Sequence, residues 1–285
     1  MSGCTTPAQT PAESRERAVQ WMIDNQNPDG SWGTIDASRP YQIYLDTQAS
    51  HDAFGEATSA LGVMSLIEPS RTNPAAEAAL RLGVKHLLDT PPVGKATGNT
   101  FYDIWTHTYM LSAMCRLVDD ERFAGDRDRI ATVLRRELDI LRQRQGADGG
   151  WGYYDFDEAT RKPTGIPTSF TTATVMMAFR KGKDVMGLEL PPKELSRGLA
   201  FLKRQQTPDF AYVYSNGHRY RPRYSINRPG GSLCRSPACN AARRVWGDPG
   251  PTDEIIKVWL DRLILRNGWV DIARKRPRPH STHFA

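Results

Sequence analysis

Three groups of side chains in this sequence have types and spacings that can do chemistry. Tyr102, Trp105 and Tyr109 fall on one face of a helical run, with His107 on another, and Phe170 lies at the start of a later run of the same kind. Rings gathered around one space can hold an apolar chain or stabilise a cation through their π faces. The same rings can equally pack helix on helix. The second group is a basic block: between Arg219 and Arg278 stand 14 Lys/Arg against 5 Asp/Glu. It suits phosphate, diphosphate or an anionic surface, or it is simply a solvated face. Within it, His218 to Tyr224 interleaves arginines with aromatic rings as single-strand nucleic-acid binders do. No recognised nucleic-acid module surrounds that run, which makes nucleic acid a poor partner. The third group is the cysteines, Cys4, Cys115, Cys234 and Cys239. They form no CxxC pair, which removes zinc ribbons and thioredoxin-like redox sites. Cys115 sits in an uncharged run and reads as a small buried hydrophobe. Cys234 and Cys239 can pair, bind metal or do neither.

Helical elements must position these groups, and two kinds alternate along the chain. The first is amphipathic. Ile130, Leu134, Leu138 and Leu141 recur at helical spacing with Arg135, Arg136, Glu137 and Arg142 between them. Segments 14–26, 75–89, 193–206 and 252–265 read likewise, the last capped by Thr252. The second kind carries no Asp, Glu, Lys or Arg: Ala57 to Ile67, Ile104 to Cys115, and Thr168 to Phe179. A helix without a polar face must be surrounded by protein or lipid. These runs fall short of the roughly 18 apolar residues of a membrane span. They therefore belong inside a protein, and the alternation predicts amphipathic helices outside and uncharged helices inside. The expectation is an all-α fold, an α/α barrel or helical solenoid. With 285 residues, 39% of them apolar and 25% charged, the chain is long enough for one large domain and is not disordered overall.

The loops between the two kinds of helix repeat as well. Gln26-Asn27-Pro28-Asp29-Gly30-Ser31-Trp32-Gly33 matches Gln145-Gly146-Ala147-Asp148-Gly149-Gly150-Trp151-Gly152. A weaker copy runs from Gln206 to Tyr212, and Arg266 to Trp269 is a shortened relic. Asp-Gly supplies a turn that needs a positive φ, and the Gln amide can tie loop backbone to the following helix. Gln26, Asp29, Gly30, Trp32, Gln145, Asp148, Gly149 and Trp151 thus read as structural rather than catalytic.

This loop after an amphipathic helix resembles the QW repeat of the squalene–hopene cyclase and oxidosqualene cyclase family, which shares its α/α toroid with protein prenyltransferase β subunits. The resemblance implies a double ring of outer and inner helices over residues 14–285, after a disordered Thr/Pro/Ala-rich tail at 1–13. It implies an isoprenoid or other hydrophobic ligand at Tyr102, Trp105, Tyr109 and Phe170, and no cofactor. Such cyclases protonate an alkene or epoxide with the central acid of a DxDD motif, held protonated in a dry site. That motif is absent. The nearest pattern is Asp155-Phe156-Asp157, so these two acids become the catalytic candidates and the chemistry stays in doubt. Prenyltransferase β subunits instead hold zinc with Asp, Cys and His. Here Cys239 and His280 or His283 match two ligands of three, since Pro237 stands where the Asp belongs. A non-enzymatic helical scaffold for protein or lipid binding is a third reading.

Four complete outer–inner hairpins and a fifth outer helix are expected, where a closed ring of this family has six. The ring therefore reads as incomplete, cut short at the C-terminus, with apolar flanks that a second copy or a covering partner would bury. The N-terminal residues show no basic stretch followed by an apolar run, so no signal peptide is expected within them. Ser2-Gly3-Cys4 before the Thr/Pro/Ala tract suits a lipidated N-terminus, and peripheral membrane contact fits the basic block.

Overall fold

The structure, a computed structural model, describes residues 10–33, 48–93, 103–153, 166–221, 225–227 and 232–266. Among them the only regular elements are helical, with isolated bridges at the loops. The nine α-helices among the described residues are α1 (Pro11–Asp24), α2 (Gln48–Leu66), α3 (Pro74–Asp89), α4 (Asp103–Leu117), α5 (Arg127–Gln143), α6 (Ser169–Met186), α7 (Pro192–Gln205), α8 (Arg235–Val245) and α9 (Asp253–Leu265). No helix among the described residues is long and apolar enough to cross a membrane.

Local chemistry explains where these helices begin. Thr10 caps α1 in a reciprocal box with Glu13, its Oγ1 accepting from the Glu13 amide at 3.2 Å. Asn73 Oδ1 accepts from the amides of Ala75 and Ala76 at the start of α3. Thr252 Oγ1 accepts from Ile255 N at the start of α9. Proline follows at the first position of α1, α3 and α7, where its missing N–H costs nothing.

The even-numbered helices pack on one another in series, α2 on α4, α4 on α6, and α6 on α8. The odd-numbered helices lie against them, and we call the even-numbered set inner and the odd-numbered set outer. In α5 the predicted stripe is the buried one, with Ile130, Leu134 and Leu141 fully covered. In α4 nearly every residue is buried, including Ile104, Leu111, Ala113 and Met114. Inner helix α8 departs from the uncharged pattern: it carries Arg235, Arg243 and Arg244 and buries the first two.

The seam between α4 and α5 holds a buried ion pair and a buried histidine–carboxylate contact. Asp103, at the start of α4, meets Arg144, just past the end of α5. One turn further along α4, His107 Nδ1 lies 2.5 Å from Glu137 Oε2, and Arg136 pairs with the other carboxylate oxygen at 2.7 Å. Burial alone would raise the Glu137 pKa, but its interactions with His107 and with Arg136 bring it below its ordinary value. Asp at a helix N-terminus and Arg at a helix C-terminus also suit the two helix dipoles.

Candidate functional site

The three Asp-containing loops share one backbone turn. In the first, Asn27 N donates to Ser31 O and Gly30 N to Asn27 O; in the second, Gly146 N donates to Gly150 O and Gly149 N to Gly146 O. In the third, Thr207 N donates to Ala211 O and Phe210 N to Thr207 O. Gly30 and Gly149 have φ of +92° and +96°, as the turn requires. Phe210 takes the same place in the third loop, with φ +60°.

Each loop also ties two layers together. Trp32 Nε1 donates to Met22 O and Trp151 Nε1 to Leu141 O, both at 2.7 Å. These carbonyls lie in the last turn of the preceding outer helix, where intrahelical partners run out. The backbone amides of Trp32 and Trp151 donate to Ser59 Oγ and Thr172 Oγ1 of the following inner helix, both at 2.9 Å. Gln26 Nε2 reaches Ala79 O of α3 and Gln145 Nε2 reaches Glu194 O of α7. The Gln contact to the next outer helix lies in the first turn of α7 but in the second turn of α3. Every polar group of Asp29 and Asp148 that the geometry accounts for serves the turn or its neighbours, Ser31 for Asp29 and Asn216 for Asp148.

Three of the four aromatic candidates meet. Trp105 stacks on Tyr109 within α4, with ring centroids 5.7 Å apart and 18° between planes. It stacks equally on Phe170 of α6, at 5.9 Å and 18°. Phe170 in turn touches Tyr153 at 5.8 Å and Tyr214 at 5.4 Å, and Tyr214 meets the His218 ring edge-on at 5.0 Å. Trp105 and Tyr109 are half-buried, Phe170, Tyr153 and Tyr214 buried. The hydroxyls of Tyr153 and Tyr214 are hydrogen-bonded to one another. Burial raises the Tyr109 pKa, so its phenol stays protonated.

Tyr153 and Tyr214 were not among the sequence candidates, and His218 entered only as the first residue of the basic-aromatic run. A signal for the first two existed: they are 61 residues apart, the offset that relates the second loop to the third. Two residues past Trp151 and two past Tyr212, they occupy the same place in successive repeats. The fourth aromatic candidate, Tyr102, and both acids, Asp155 and Asp157, lie outside the described residues. So do His280 and His283.

Cys239 is wholly buried in α8. Burial pushes its thiol up to about 12, against weaker opposing effects of Arg235, Ser169 and Arg243. Cys115 is likewise pushed up to about 12 by burial, as a core residue should be. Among the described residues, no three His, Cys, Asp or Glu side chains gather as metal ligands would. The two arginines that act on Cys239 would also repel a divalent cation, so the side chains described around it do not fit zinc.

No family model matches the chain. Over 221 residues it is 26% identical to the squalene–hopene cyclase of Zymomonas mobilis subsp. mobilis, a match covering 72% of this chain and 31% of that protein. The chain thus spans about a third of the relative it matches. An all-helical chain similar at this distance to a squalene–hopene cyclase is what sequence and structure together establish.

Proposed function

We propose that this chain is a squalene–hopene cyclase-like repeat domain that binds an isoprenoid or other hydrophobic chain against the rings of Trp105, Tyr109 and Phe170. The observation that carries this reading is the pair of parallel stacks centred on Trp105, which join two inner helices yet leave Trp105 and Tyr109 half-buried. Stacked rings with accessible edges offer an apolar chain a surface, and offer a carbocation a π face. Under this reading the three Gln-headed loops are QW-type repeats, and the two layers are part of an α/α toroid.

Equilibrium binding of squalene in mild detergent, followed by tryptophan fluorescence, tests the reading. Trp105→Ala should weaken binding by about tenfold, the worth of one good aromatic contact. Unchanged affinity in that variant would sink it. Whether chemistry follows binding is a separate question, answered by mass spectrometry of squalene incubations. Loss of a product in Asp155→Asn or Asp157→Asn would assign the proton donor.

One observation favours a binding scaffold instead. Helix α9 leaves Val258, Ile264 and Leu265 exposed, the last two at 72% and 83%. Self-association that Ile264→Glu abolishes, with no ligand bound by the ring cluster, would support that alternative.

A further inference from the structure

The inner helices leave one stripe uncovered, and its two ends differ in chemistry. In α4 every residue is buried except Trp105, Tyr109 and Arg116, which recur at four and seven residues and so share one face. From Ser169 to Phe179 of α6 the residues left uncovered are Thr174 and Met177, and Lys181 follows on the same face. The two stripes are in register. Trp105 stacks on Phe170 and the charge of Arg116 acts on Lys181, and both pairs are 65 residues apart. Helices α4 and α6 therefore run side by side in one direction, which puts Tyr109 level with Thr174. Helix α2 flanks α4 in the same direction, since Thr106 Oγ1 donates to Ala53 O and Arg116 Nη1 to Met64 O. Phe54 and Leu61 are exposed on it.

Eleven residues separate Trp105 from Arg116, about 16 Å along the helix at 1.5 Å per residue. The end near Trp105 is aromatic. The end at Arg116 is cationic, and its charge is only partly met. Arg116 Nη2 lies 3.5 Å from Glu68 Oε1, while Arg71 Nε holds the other oxygen of that carboxylate at 3.1 Å. Among the described residues Lys181 has no acid partner. Its side chain reaches solvent, yet burial of part of it, and then the charge of Arg116, lowers its pKa against a smaller effect of Cys115. An anion beside Lys181 would supply the counter-charge. A half-covered apolar strip with one unmet positive charge at its end complements a molecule with an apolar chain and a single negative head.

We infer that the ligand of this domain is a long-chain carboxylate lying lengthwise on the α4–α6 stripe, its head at Lys181 and Arg116 and its chain over Met177, Tyr109 and Trp105. The inference rests on the hydrophobic-ligand reading above and adds to it the ligand's charge and its direction along the helices. Lys181 supplies the counter-charge, and Arg116, fixed by Met64 O and Glu68, adds positive potential beside it.

The test measures binding of farnesoic acid, farnesol and acetate to the whole chain near neutral pH, where the acid is ionised. Farnesoic acid should bind about tenfold tighter than farnesol, the worth of one charge-assisted hydrogen bond, and added salt should narrow the margin. Lys181→Gln, at an exposed position, should bring the two within about threefold of each other. Lys181→Arg should keep most of the margin. Equal binding of acid and alcohol by the unaltered chain overturns the inference and leaves the hydrophobic reading standing. Binding of neither overturns both. A margin that survives Lys181→Gln puts the head elsewhere and overturns the inference. Acetate held as tightly as farnesoic acid removes the chain from the stripe and overturns it too.

Discussion

The second and third loops carry the same turn, yet one has glycine and the other phenylalanine at its left-handed position. A Cβ on Gly149 would lie 2.4 Å from Arg197 O of α7, and one on Gly30 would lie 2.4 Å from Leu82 O of α3. In both loops the turn abuts the backbone of the next outer helix, and the loop Gln donates to a carbonyl of that helix. The third loop reverses the arrangement. Helix α9 reaches it through side chains, Trp259 Nε1 donating to Asp209 O at 3.0 Å and Arg262 approaching Asp209 Oδ2 at 3.4 Å. Gln206 turns inward and accepts from Arg243. With side chains spanning the gap, the turn has room for Phe210. Glycine is thus demanded less by the turn's φ than by the approach of a neighbouring helix.

The largest effect should come from Gly149→Ala. A methyl cannot share space with the Arg197 carbonyl, so α7 must shift, at a cost of roughly 3 kcal/mol from overpacking and left-handed strain together. Urea denaturation measures it, and Phe210→Ala should cost far less. Equal losses at the two positions would break the comparison. Next comes Trp151→Phe, which removes the indole donor from Leu141 O, still reached by Arg144 N at 3.2 Å, and leaves part of a buried ring site unfilled, worth roughly 2 kcal/mol together. Tyr212→Phe should cost less, about 1 kcal/mol, because the ring volume is kept and Arg243 retains Asp248, although buried Asn240 Oδ1 loses the hydroxyl donor.

The first loop differs from the second in having a titratable neighbour. His86 Nε2 lies 3.0 Å from Glu56 Oε1, and its Nδ1 lies 3.8 Å from Asp29 Oδ2. The Glu56 hydrogen bond, opposed by burial and aided by the charges of Glu56 and Asp29, raises the His86 pKa. A raised folded-state pKa means the added stability is complete below the unfolded value of about 6.5 and is lost as pH rises through the folded pKa. His86→Gln should therefore lower Tm most at acidic pH and converge with the unaltered protein at alkaline pH. A Tm difference independent of pH would remove the charge from the account. The smallest effect is expected of Phe210→Gly, a gain of up to about 1 kcal/mol from relief of the left-handed conformation. A clear loss would show that the Phe210 ring, not the room around it, sets the third loop.

Much of the fold was legible. The stripe Ile130, Leu134, Leu138 and Leu141 named its own buried face, because a 3.6-residue period is a local property of the chain. The cap Thr252 was read for the same reason; Asn73 was not, and Thr10 lay in the tail expected to be disordered, where the structure instead begins α1 at Pro11. Inner helix α8 was not legible as an inner helix from composition. Its arginines look solvent-facing, and tertiary partners, Tyr212 O, Ile226 O and Asp248 among them, make their burial tolerable. Of the candidate site, Trp105 and Tyr109 were found by their four-residue spacing. Tyr153 and Tyr214 were missed as site residues, since 61 residues of chain separate two hydroxyls that bond to one another.

Sequence alone determined the alternation of half-exposed and covered helices, the recurring Asp-Gly turn and the rings that share a face of α4. Those follow from spacing within a few residues, where backbone geometry is fixed. Which rings stack on one another, and why Phe210 can stand where Gly149 must, were decided by tertiary structure. Each depends on how closely separate helices approach, a distance set by all the side chains between them rather than by any local run.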